Sequence, residues 1–368
     1  MRYASAGLFA GALAVLAAGC GSAPNEFAGE GGIFDSPVDV VVNGDAAYIM
    51  NANFDLSDEK DGAITVVDIP ACLINRKECI VRRVETPAFI GEMVINQDGT
   101  AGYLANRRGD TVLLVDLSDP WTPEIVDLDP DKDGDQGIKV GVEPFGLSLS
   151  PDETTLYVTN VGSGDLSVVD LDTEELVKNE LLASGISEVE IQPGSDYAYI
   201  TNKGRISVTV FDIESNRLVT ALPFGSFLTG VGTDTRGIAF SPDGTTGFIA
   251  SRNPDSLLVI DTTKIPENVD QSVIDLVATG NGPSGVSVTP DGAEVWITNY
   301  SSNNVFAYDA ETREVLEVVS AGLGPNALAM AAPVEQDPEH YFILVTNFLS
   351  HNVSLLDARA KEYIWAIP

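Results

Sequence analysis

The chain has 368 residues, 55 of them Asp or Glu against 20 Lys or Arg, for a formal net charge of −35. Such an excess of negative charge repels nucleic acid before contact and excludes binding to it through bulk charge. Hydrophobic residues make up 44% of the chain and the mean hydropathy is +0.09, which excludes a disordered acidic tail. With 34 Gly and 20 Pro and abundant Val, Ile and Thr, the composition predicts short strands joined by tight turns and argues against helix-rich classes.

The first 19 residues read as a signal peptide: Arg2 supplies a minimal positive start, and Ala4 to Ala18 is an alanine-rich apolar run too short to span a bilayer. The run ends in Leu16-Ala17-Ala18-Gly19-Cys20, which resembles a bacterial lipobox. The resemblance implies diacylation of Cys20 and a membrane-anchored protein, with Gly21 in place of aspartate pointing to the outer membrane. An ordinary signal peptide with an incidental cysteine is the other reading. Residues 20–35, small and polar, read as a flexible tether. Cys72 and Cys79 remain. In an exported chain a local disulfide is the natural reading, with two reduced thiols or a metal pair as the alternative.

From residue 36 onward the chain repeats. An apolar strand ending in Asn is followed by a second ending in Asp: YIMN (48–51) with VVD (66–68), YLAN (103–106) with LVD (114–116), YVTN (157–160) with VVD (168–170), and YITN (199–202) with VFD (210–212). FIAS (248–251) with VID (259–261), WITN (296–299) with AYD (307–309), and LVTN (344–347) with LLD (355–357) complete seven units. The Asp follows the Asn position by 10 residues in six units and by 17 in the first, and closing aspartates recur every 42 to 54 residues. Turn signals such as Ser241-Pro242-Asp243-Gly244 and Thr289-Pro290-Asp291-Gly292 precede the Asn strand, and another strand, such as Gly285 to Thr289, precedes the turn. Each unit therefore reads as strands a to d, and a period of ~40–50 residues with several strands per period is that of propeller blades.

The expected fold is all-β, a seven-bladed β-propeller with four antiparallel strands per blade, spanning residues 36–368 as one domain and monomeric. The units resemble the YVTN family of seven-bladed β-propeller repeats in Gly-Pro-x-Gly, Ser-Pro-Asp-Gly, Tyr-Val-Thr-Asn and Val-x-Asp. No strand is set aside for exchange between the first and last blades unless residues 32–35 add one, so the sequence leaves the mode of closure open and does not favour a swapped strand.

With strands ordered a to d outward, the b–c and d–a loops share one face. The residue after the Asn position reads Ala52, Arg107, Val161, Lys203, Arg252, Tyr300 and Phe348 in blade order. Arg108, Arg205 and Arg236, the last read as lying just before strand a of blade five, add to the cations there. Phe224, Phe227 and Leu228 form a candidate lid, and His351 sits on the same face. Arg107, Lys203, Arg236, Arg252, Tyr300 and Phe348 are thus the candidate ligand-binding residues: an anion pocket with aromatic walls, against cations merely paired with neighbouring acidic loops. Asp129, Asp131, Asp133 and Asp135, read as a d–a connection, open like a calcium loop, D-x-D-x-D-G, with Glu143 as a candidate further ligand; a solvated acidic loop is the equal alternative.

Two histidines and no C-x-x-C-H motif argue against copper clusters and covalent haem, and no nucleophile elbow or phosphate-cradling loop occurs. Apart from structural Ca²⁺, no cofactor is expected. The first expectation is a lipid-anchored binding scaffold for a small anion, a glycan or an envelope protein. The second is a hydrolase resembling the seven-bladed lactonases, using Arg236, Arg252 or His351 with a carboxylate near the axis. A quinone-dependent dehydrogenase comes third.

Overall fold

The structure, a computed structural model, describes residues 34–53, 61–129, 131, 137–204, 207–223, 234–331 and 340–368. Cys20 and the leader, Arg205, the lid residues Phe224, Phe227 and Leu228, and Asp133 and Asp135 lie outside them.

Seven antiparallel sheets, each in sequential strand order, form the seven blades of a propeller. Their innermost strands, Pro37–Asn43, Ile90–Ile95, Pro144–Leu149, Ile186–Ile191, Thr235–Phe240, Pro283–Val288 and Pro325–Met330, surround the axis. The apolar residues of each Asn-ending strand are buried between blades: Tyr48, Tyr157, Tyr199 and Trp296 are among the largest fully buried side chains. Some of their polar tips reach the next blade, as where Tyr157 Oη donates to the Ile213 carbonyl at 3.3 Å.

Local chemistry explains the repeated letters. Every innermost strand carries a register shift after its first residue, so its second and third residues oppose one residue of strand b. Where that opposing residue is Thr, its hydroxyl accepts the bulge N–H: Gly146 on Thr159 at 3.0 Å, Glu188 on Thr201 at 3.1 Å, Gly285 on Thr298 at 2.8 Å and Ala327 on Thr346 at 3.0 Å. Thr298 Oγ1 also lies 2.8 Å from the Asn326 carbonyl of the following blade. The closing aspartate accepts a backbone N–H two or three residues on in all seven blades, among them Ala71 on Asp68, Thr173 on Asp170 and Thr312 on Asp309. In the a–b turns Asp152, Asp243 and Asp291 each accept a Ser or Thr hydroxyl at 2.6 Å, and hydrogen bonding holds their carboxyls below the usual range.

Among the described residues the ring closes without strand exchange: blade one is built from the first four strands and blade seven from the last four. Val40, Ile49 and Val67 of the first blade pack on Phe342, Leu344 and Leu355 of the last, and Asn326 Nδ2 donates to the Val38 carbonyl across the seam at 2.7 Å. Cys72, on a short helix Ile69–Ile74, is disulfide-bonded to Cys79 beside this seam.

Blade two departs from the expected layout. Its outer strand comes in two pieces, Glu124–Val126 and Ile138–Lys139, both paired to Thr111–Asp116. The acidic stretch containing Asp129 and Asp131 therefore interrupts the outer strand at the propeller's circumference and is not a d–a connection. Arg236 likewise lies within its inner strand and not before it.

Candidate ligand site at the mouth of the axial channel

The residue after each Asn position occupies one equivalent place in all seven blades. The N–H of Ala52, Arg107, Val161, Lys203, Arg252, Tyr300 and Phe348 donates to the carbonyl of the residue preceding the inner strand, at 2.6 to 3.2 Å. These side chains consequently stand in a ring around the upper end of the channel. Arg107 and Lys203 both approach the Phe145 ring, with the guanidinium 5.6 Å and the ammonium 4.7 Å from its centre. Arg252 lies 5.7 Å from the Tyr300 ring, whose centre is 6.4 Å from that of Phe348. Five of the six candidate ligand-binding residues hold this position, and the sixth, Arg236, lies in the inner strand of blade five and lines the cavity beneath.

Some of this charge is already engaged. Arg107 pairs with Glu143 at 3.2 Å. Arg236 makes a two-pronged contact with Asp234 at 2.5 and 3.1 Å. Arg252 Nε donates to the Pro283 carbonyl at 2.8 Å, and burial, followed by repulsion from Arg236, makes its proton easier to lose than usual. Arg108 is exposed. His351 is at the seam between blades seven and one, where its Nδ1 accepts the Ser36 N–H at 3.0 Å and lies 3.6 Å from Asp35; it does not line the axial cavity.

Below the mouth is a cavity of about 170 Å³. Four carboxylates line it, Asp39, Glu92, Glu188 and Glu190, together with Lys203 and Arg236. Sequence reasoning had not singled these acids out, although the signal was present: Asp39, Glu92 and Glu188 each stand at the third position of the inner strand, where blades three, five and six have Gly146, Gly237 and Gly285. At Gly237 an added Cβ would come within 2.5 Å of the Ser284 carbonyl of the next blade, which accounts for the glycines; an acid at this position marks a local departure from that packing. Asp39 uses its carboxylate to accept the Met93 N–H of the next blade at 3.0 Å.

Burial pushes Asp39 up to about 6 and Glu188 up to about 7, the latter against the pull of Lys203. Glu92 is raised well above the carboxylate range by burial and then by Glu188. Glu190, two residues further along the same strand, is pushed up to about 8 by burial among the inner strands and then by Glu188, although its side chain keeps contact with the lumen. Burial and then Arg236 lower Lys203 to about 8. A base and an acid that both titrate near neutrality therefore share one cavity under a cationic rim. Among the described residues no three His, Cys, Asp or Glu come together in a way that could hold a metal ion.

A family model described as lactonase, 7-bladed beta-propeller, matches residues 103–361. No curated protein matches the chain. Among solved structures, Kuenenia stuttgartiensis hydrazine synthase aligns at 20% identity with a TM-score of 0.69, over 89% of this chain and 97% of that one. A protein from Desulfotomaculum acetoxidans aligns at 15% identity and 0.63, over 83% and 92% of the two chains, and one from Lactobacillus plantarum at 17% and 0.61, over 79% and 86%. At these identities the likeness concerns the fold alone.

Proposed function

The chain belongs to the lactonase family of seven-bladed β-propellers, and from that membership and the channel mouth we propose that it binds a small anionic molecule on the face formed by the b–c and d–a loops. The observation that carries this reading is the meeting of Arg107, Lys203 and Arg252 with Phe145 and Tyr300 around one opening. Guanidinium groups supply paired donors to a carboxylate or phosphate, and the rings hold the apolar remainder. The cavity beneath, at about 170 Å³, is below the ~300–1,000 Å³ of common ligand pockets and selects a small molecule.

Family membership and the two titrating groups favour a second reading, hydrolysis of an anionic lactone. Water would attack the ring carbonyl carbon and give its proton to the Glu188 carboxylate, while the ring oxygen, released as the carbon–oxygen bond breaks, takes a proton from the Lys203 ammonium. Glu188 must be ionised and Lys203 protonated, which places the optimum between about 7 and about 8. The tests run together: calorimetry with citrate, gluconate and phosphate on the protein and on Arg107→Ala and Arg252→Ala, and a lactone panel across pH. Binding that weakens by about tenfold in each variant supports the mouth, and unchanged binding overturns it. Hydrolysis lost in Glu188→Gln supports the enzyme; a panel left intact overturns it.

The lipobox supports attachment through Cys20 to the cell envelope, at the outer membrane. A propeller so tethered offers this face to periplasmic or surface solutes, and a glycan or an envelope protein bearing anionic groups would use the same cations.

A further inference from the structure

The channel is polarised along its axis. Cations stand at the rim, and the inner strands carry acids progressively deeper, with Asp39, Glu92 and Glu188 at their third position and Glu190 two residues further down. Four carboxyl groups face two cations, and Arg236 is already held at two points by Asp234; burial raises all four, so their full charge is reached only when a further cation joins Lys203. Among the described residues neither Glu92 nor Glu190 receives a hydrogen bond, and only burial and neighbouring charges act on them.

A second observation independent of the acids points the same way. Ser187 is completely buried, lines this cavity, and its Oγ has no hydrogen-bond partner. A buried hydroxyl left unsatisfied costs on the order of 1–3 kcal/mol, a cost removed when a ligand donor or acceptor reaches it. Neutral hydroxyls on a ligand would satisfy Ser187 but would not help the buried carboxyl groups to ionise, and no three acidic groups converge to hold a metal ion among the described residues. An organic ammonium has three donors to distribute over separated acceptors and also supplies the positive charge beside which those carboxyl groups ionise.

We infer that the channel takes a small zwitterion, its ammonium group lowered among Glu92, Glu188 and Ser187 and its anionic group held at the mouth by Arg107 and Arg252. The inference rests on the anion-binding reading of the mouth and names the chemistry of the end that enters. In a cavity of about 170 Å³, a short ω-amino acid has the required form.

The test compares three matched series on the full chain at neutral pH, by calorimetry and thermal shift: glycine, β-alanine and γ-aminobutyrate; acetate, propionate and butyrate; and the amines of the same lengths. At least one amino acid should bind about tenfold tighter than both its carboxylate and its amine counterpart. Glu188→Gln should erase that advantage, so that the amino acid binds no tighter than its carboxylate counterpart, and Ser187→Ala, smaller and without the hydroxyl, should reduce it. Carboxylates binding as tightly as amino acids would overturn the zwitterion and leave the anion site standing. No binding by any series would overturn both, and stabilisation by Ca²⁺ or Mg²⁺ with none by the amino acids would replace the ammonium by a metal.

Discussion

Single residues in this protein act mainly at the joints between blades. Thr298 is completely buried, accepts the Gly285 N–H and lies against the Asn326 carbonyl, so one hydroxyl ties the bulge of blade six to the inner strand of blade seven. Thr298→Val keeps the shape and strands both backbone groups, and should cost about 2 kcal/mol in chemical denaturation with the fold retained; an unchanged midpoint would show that water replaces the hydroxyl. Blades one, two and five have Met50, Ala105 and Ala250 at this place, so the ring tolerates the loss individually. The letters of the repeat were legible because each is a local device: Asp for the c–d turn, Ser-Pro-Asp-Gly for the a–b turn, Asn at the end of strand b. The acids Asp39, Glu92 and Glu188 were not, because their meaning arises only when strands from blades one, two and four meet at the axis. The departure from glycine at that repeat position is visible in the sequence, but the encounter across roughly 150 residues of chain that gives it meaning is not.

At the level of elements, the ring of side chains after strand b could be placed from sequence since the hydrogen bond that fixes it is repeated in every blade. The outer strand of blade two could not. An outer strand has one neighbour and an exposed edge, so an insertion within it disturbs little packing and leaves no break in periodicity, and the acidic segment was assigned to the connection after it. Its position at the circumference separates it from the ligand mouth. A calcium ion held by Asp129 and Asp131 with the acids that follow remains our proposal for this loop on the strength of its sequence. It would serve to fasten the two pieces of the strand. EDTA should then lower the melting temperature, and Asp131→Ala should abolish that response while leaving ligand binding at the mouth unaffected; a melting temperature indifferent to EDTA in the parent protein would overturn the calcium reading.

For the whole molecule, charge acts in two opposed ways as pH falls. Asp39 and Glu188 are raised from 3.8 and 4.5 to about 6 and about 7, so the folded chain holds protons there that the unfolded chain has released. Between about pH 4 and pH 7 the native state binds more protons at these sites, and stability must rise as pH falls through that window. General self-repulsion among the charges that sum to −35 relaxes in the same direction. The turn aspartates Asp98, Asp152, Asp243, Asp291 and Asp309 are shifted downward by their hydrogen bonds. Their contribution is present above the unfolded value of ~3.9 and is lost as pH drops through their lower folded values. Melting temperature should therefore climb from about pH 7.5 to about pH 5 and fall again below about pH 3.5. Combining Asp39→Asn with Glu188→Gln removes the share of the climb carried by these two groups and leaves that of Glu92, Glu190 and overall repulsion, so the double variant should show a shallower slope between pH 5 and 7 and the same acid limb. A slope identical to that of the parent would place the excess protons elsewhere than on Asp39 and Glu188.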